Sequence, residues 1–229
     1  MKILHRDDLP RGGFAGVEET RIVTDSQLFT RKGPETSEGL GRFVYLADAE
    51  FTPFGETGMH SHKEIDVISV MIDGRVSHSG SLEHGKSLEA GDVQVQRAGG
   101  EGFAHNEKNP DSTKNRMIQL WVLPEESGQL AAYKYYTPNQ QGMTRIYGGS
   151  KTQTETFDSS ITIDILRLKA TDEIELPEET LCYVTQGQVV FNEFSDKYPA
   201  SEGSLIRGSS LELQAMTDSQ IIIISQFSK

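Results

Sequence analysis

The chain is short of several things, and each shortage closes off a class of protein. It has one cysteine, Cys182, in 229 residues. One cysteine makes no intrachain disulfide, and Leu181-Cys182-Tyr183-Val184 is an apolar, strand-like run. A small buried thiol is therefore the reading of Cys182. No apolar run is long either. The longest, Ile221 to Ile224, falls far below the ~20 residues of a membrane-crossing helix. Met1 to Asp8 lacks the apolar centre of a signal peptide, so a cytoplasmic protein is expected. Positive charge is scarce: 22 Lys and Arg stand against 34 Asp and Glu, a net charge of −12. A direct grip on nucleic acid or an anionic membrane needs local positive charge, and no basic cluster supplies it.

Long amphipathic helical patterns are missing too. Short runs rich in β-branched and aromatic residues recur instead, separated by glycine or proline turns. Arg42-Phe43-Val44-Tyr45-Leu46 and Val93-Gln94-Val95-Gln96 are examples, the second with clean apolar–polar alternation. Ile65 to Ile72 ends at Asp73-Gly74, a strong turn signal. This pattern predicts an all-β fold of sandwich or barrel type. Residues 124–160 change character, and a boundary there gives units of 1–135 and 136–229. A weak internal repeat fits two copies of one unit. Gly74-Arg75-Val76 and then Gly91-Asp92-Val93 echo Gly187-Gln188-Val189 and then Gly203-Ser204-Leu205. Counting back from the glycine puts Glu173 and Glu175 at the place of the first histidine pair, and Thr217 near that of the third histidine. The second copy holds no histidine, so it is expected to serve packing.

The chemistry concentrates between residues 58 and 107. His60-Ser61-His62 and His105-Asn106-Glu107 are two pairs of the form H-x-H and H-x-E. Residues two apart on a strand share a face, so each pair projects side by side. Brought together, they offer three imidazoles and a carboxylate to one point. That donor set is too rich in nitrogen for calcium or magnesium and suits Fe, Mn, Co, Ni, Cu or Zn. By strand alternation Asp66 would share the face of His60 and His62, where it either hydrogen-bonds a ligand imidazole or is a polar residue at the barrel mouth. His5, His78 and His84 read as solvated side chains.

These residues resemble the pirin family of the cupin superfamily. Gly58-x-His60-x-His62, Asp66 and Gly74 follow the first pirin motif in order and spacing. Gly91-Asp92-Val93-Gln94, Ala98-Gly99 and Gly102 to Glu107 are similar to the second. Gln119-Leu120-Trp121-Val122-Leu123-Pro124 is similar to the segment that closes the family's first barrel. The likeness is specific over about residues 42–126 and collinear beyond. The chain departs from the pattern in three places. Asp66 stands where pirins usually carry Glu, the segment from Ala98 to His105 is one residue longer, and the aromatic N-terminal motif is not recognisable around Leu28-Phe29-Thr30.

The resemblance implies a bicupin of two antiparallel jelly-roll barrels. The N-terminal barrel would hold one metal, usually iron and here taken as Fe(II), through His60, His62, His105 and Glu107. It also implies a quercetin 2,3-dioxygenase-like activity on a flavonol or related aromatic enol with O2, in which Glu107 serves as ligand and proton acceptor. The alternative it implies is a non-enzymatic, iron-dependent redox regulator that binds a protein partner. A monomer is expected in either case.

Overall fold

The strands form where the β-branched and aromatic runs predict them, and turns fall at the glycines. The structure, a computed structural model, describes residues 1–30, 35–82, 87–193 and 196–226. His84 and part of the hairpin around it lie outside the described residues. Among the described residues there are twenty-one strands and one 3₁₀ turn, Arg6–Asp8. No helix among them is long and apolar enough to cross a membrane.

The chain divides into two compact units. One is Leu9–Thr137; the other combines Met1–Asp8 with Pro138–Lys229. The start of the chain thus departs from the sequence expectation of a first unit beginning at residue 1. The cause is pairing: Lys2–His5 runs antiparallel beside Ser204–Gly208, with Ile3 opposite Ile206. A four-residue edge strand carries no signal of its distant partner.

The Leu9–Thr137 unit is built from two antiparallel sheets. Seven strands form the larger, in the order Ala132–Tyr136, Val93–Arg97, Asp66–Asp73, Arg116–Val122, Phe43–Phe51, Val17–Thr24 and Arg11–Phe14. The smaller has the order His60–His62, Phe103–Lys108, Arg75–Gly80 and Ser87–Glu89. Val17, Ala49, Phe51, Met71, Val76, Leu88 and Met117 pack as one apolar cluster, drawing residues from both sheets. A second cluster joins Ile65, Val67, Ala98 and Phe103.

The other unit repeats the plan. Its smaller sheet has the order Glu173–Leu176, Leu211–Ala215, Gln188–Glu193 and Asp196–Ser201. Its larger sheet has six strands, with Thr180–Gln186 between Ser204–Gly208 and Ser219–Gln226. Cys182 is fully buried there, in an apolar cluster with Leu166, Val184, Phe191 and Leu213.

Candidate metal centre

Two neighbouring strands bring the histidines together. In the antiparallel pair of His60–His62 with Phe103–Lys108, His105 lies opposite His60 and Phe103 opposite His62. Residues 60, 62, 105 and 107 therefore share one face of the smaller sheet. Two glycines permit the close approach. A side chain on Gly102 would put its Cβ 2.7 Å from the His62 carbonyl oxygen, and Gly102 has a left-handed φ of 76°. A Cβ on Gly80, which pairs with His105, would collide with the backbone of Ala104 and His105. Any larger residue at either place would push the histidine strand out of register.

The three imidazoles point their Nε2 atoms at a common place. His105 Nε2 is 3.0 Å from His60 Nε2 and 3.2 Å from His62 Nε2. These three residues form one group whose ligand atoms all lie within 4.8 Å of one another. The spacing itself tests the fit to a cation. Nitrogens bound at ~2.1 Å and at right angles stand ~3.0 Å apart, and at the tetrahedral angle ~3.4 Å apart. Neutral imidazoles facing one another nitrogen to nitrogen have more lone pairs than protons to share, and a cation satisfies all three. The donor set fits a divalent transition metal. His60 donates its Nδ1–H to the Gly58 carbonyl at 2.9 Å, which leaves its Nε2 lone pair toward the cluster.

Burial keeps two of the rings, His62 and His105, neutral. It lowers the pKa of His62 to about 4, helped by the neighbouring His60. It lowers that of His105 to about 2, helped by His60, His62 and His78. A neutral imidazole is the form that binds metal.

Glu107 is almost fully buried. Its Oε1 accepts from Gln94 Nε2 at 2.9 Å and from Ser69 Oγ at 3.2 Å. Burial raises its pKa to about 7, and the two hydrogen bonds pull the other way. Ser69 and Gln94 are directly opposite each other on the larger sheet. The carboxyl thus reaches across the barrel from one sheet to the other. The close group of metal-ligating atoms is the three histidines. Gln94 Oε1 and Gln96 Oε1 are buried without a hydrogen-bond partner.

An aromatic stack stands beside the cluster. Tyr45 and Trp121 lie opposite each other on adjacent strands, with ring centres 4.3 Å apart. Phe29 stacks on Tyr45 at 5.6 Å, and Trp121 meets His62 edge-on at 5.8 Å. Phe29 comes from the stretch in which the aromatic motif was not recognisable. Its role depends on Tyr45 and Trp121, which a local pattern does not reveal.

Two sequence expectations need correction. Asp66 does not serve the histidines: its Oδ2 accepts from Arg97 Nε at 3.1 Å, and both residues are buried. Val67 and Ser69 face the cluster side, so Asp66 takes the other face. Alternation fails across residues 63–65 because Glu64 has a left-handed φ of 53° and the chain passes there from one sheet to the other. His78 is not solvated. It is buried opposite Glu107, with its Nε2 3.2 Å from His105 Nδ1. His5 lies away from the cluster, its Nε2 3.1 Å from the Glu202 carbonyl.

Two antiparallel barrels in one chain, one of them lined by a three-histidine cluster, define a bicupin. Residues 30–122, within the histidine-bearing unit, match the family model Pirin.

Among curated relatives, the quercetin 2,3-dioxygenase of Escherichia coli K12 is 35% identical over 78 residues, 34% of this chain and 33% of that protein. A pirin-like protein of Caulobacter vibrioides is 33% identical over 81 residues, 35% of this chain and 34% of the relative. These stretches span about a third of the relatives' length. The crystal structure of the bacterial pirin YhhW from Escherichia coli, in complex with nickel(II), superposes with a TM-score of 0.83 at 19% identity. That superposition covers 100% of this chain and 99% of the other, and it shows a shared fold.

Proposed function

We propose that this protein is a pirin-like, metal-dependent dioxygenase that opens a flavonol of the quercetin type, or a related aromatic enol. The observation that carries the reading is the cluster itself: three imidazoles converge beside the Phe29–Tyr45–Trp121 stack. A relative with 35% identity over 78 residues bears the name of that activity. His60, His62, His105 and Glu107 hold the metal, which is Fe(II) first, with Ni, Cu, Mn, Co or Zn suited to the same donors. When bound, it supplies Lewis acidity and redox chemistry toward O2.

The chain's own residues do the rest. The aromatic stack gives a flat ring system a face to lie on and keeps water from it. Glu107 takes the proton of the enol hydroxyl, and Ser69 and Gln94 hold its carboxylate in place. Both oxygen atoms of O2 enter the product and carbon monoxide leaves, so no outside reductant is consumed.

The test is oxygen uptake and carbon monoxide release with quercetin, on iron-loaded protein, with His62→Ala as control. Equal amounts of each gas per ring opened, lost in the control, are expected. No uptake with any flavonol at full metal occupancy would remove the enzyme and leave the redox-dependent regulator.

A further inference from the structure

His78 has polar sequence neighbours, Ser77 and Ser79, yet its place is internal. It lies opposite Glu107 on the adjacent strand, at 2% exposure, on the same face as the histidine cluster. Its Nε2 is 3.2 Å from His105 Nδ1. The Gln96 side-chain amide reaches the same His78 nitrogen, also at 3.2 Å.

We propose that His78 is a positioning residue for the metal centre: its Nε2 accepts the Nδ1–H of His105 and so turns the His105 Nε2 lone pair toward the metal. The inference rests on the reading of His60, His62 and His105 as ligands. The tautomers follow from that reading. His105 has one ring proton when neutral. With Nε2 given to a metal, the proton sits on Nδ1. The group facing Nδ1 must then be an acceptor, so His78 is neutral, with its own proton on Nδ1. Gln96 donates an Nε2–H to the same His78 lone pair from the neighbouring sheet, a three-centre contact.

This arrangement matters because His105 is the deepest of the three ligands, fully buried where His60 and His62 are partly exposed. Solvent cannot orient its ring, so a protein group has to. Outer partners of this kind change metal affinity by about 10–100-fold when removed.

The experiment compares the metal-free wild type with His78→Phe and His78→Gln, each titrated with Co(II). Calorimetry gives affinity, and the visible ligand-field bands at saturation report the geometry around the cobalt. Phenylalanine fills the space of the ring without an acceptor. Glutamine places its Oε1 near the position of the His78 Nε2 and can still accept from His105.

We expect His78→Phe to bind Co(II) about 10–100-fold more weakly, with shifted bands at saturation. His78→Gln should stay within about threefold of wild type, with the wild-type spectrum. If His78→Phe does not fold, His78→Leu takes its place beside the glutamine variant. Wild-type affinity and bands in the phenylalanine or leucine variant would overturn the proposal, and so would a glutamine variant no better than the apolar one. Wild-type protein that takes up no Co(II) would overturn the centre itself, which is a different failure.

Discussion

The two units carry the same small sheet with opposite contents. Gly74 and Gly187 are left-handed turns at matching places, with φ of 69° and 85°. Counting outward from them through the strand pairings aligns the two interiors. Glu107 pairs with His78 as Leu213 pairs with Phe191. His105 pairs with His60 as Leu211 pairs with Leu176. Ser69 pairs with Gln94 as Cys182 pairs with Ile206. Leu176, Cys182, Phe191, Ile206, Leu211 and Leu213 all belong to one buried apolar cluster. At these six positions, the polar groups of one barrel are hydrocarbon or thiol in the other.

That difference teaches what the scaffold itself requires. The strand order and register hold with either filling, so the histidines are not what keeps the barrel closed. The second barrel is the fold at rest, with its interior sealed by packing. The first has given up that seal for a polar interior with unpartnered amide oxygens at Gln94 and Gln96. The lone cysteine also finds its meaning here: it is the apolar counterpart of Ser69.

If the second interior is structural and the first functional, substitutions in the two should separate cleanly. The largest effect belongs to Phe191→Ala. Emptying that site should cost about 3–5 kcal/mol, read as a fall in the urea midpoint, with metal content per chain unchanged. Loss of metal in that variant would mean the two interiors are not independent. Next comes His62→Ala. Metal affinity should fall at least as far as the ~100-fold seen for outer partners, by calorimetry, while the unfolding midpoint of the metal-free protein stays near wild type. A large drop in metal-free stability would make His62 a packing residue after all.

Ser69→Cys is a smaller and sharper change, since it installs the second barrel's residue in the first. The thiol is a weak donor, so Glu107 loses one of its two holds. The expected cost is about 0.5–1.5 kcal/mol of stability and about tenfold in metal affinity. Unaltered affinity would mean that the Glu107 carboxylate is not among the ligands, leaving the three imidazoles alone.

Much of this was legible in the sequence because it is local. The H-x-H and H-x-E pairs declare a shared face by alternation alone. The turn glycines mark the strands and disclose the repeat. What was not legible depends on partners far along the chain. His78 sits between two serines and looks solvated; only the strands carrying Gln96 and Glu107 bury it. Simple alternation puts Asp66 on the histidine face, but the left-handed Glu64 resets the alternation. The first strand gives no hint that it completes the sheet of the other unit.

The counterparts of the histidines were misplaced for the same reason. Counting along the chain gave Glu173 and Glu175, with Thr217 for the third. Pairing gives Leu176 opposite Leu211 instead, and Thr217 lies in a turn, its Oγ1 accepting from the Gln188 backbone N–H at 3.0 Å. Glu173 and Glu175 are exposed, as is Glu212 opposite Glu175. Like charges facing each other across a strand pair disfavour folding slightly. Glu175→Ala should therefore leave stability within about 0.5 kcal/mol of wild type, on the favourable side if it moves, and metal content untouched. Leu176→Ala, one residue on, should cost about 2–5 kcal/mol. The contrast between these neighbours decides which residue occupies the histidine position, and equal effects from both would undo the alignment of the two barrels.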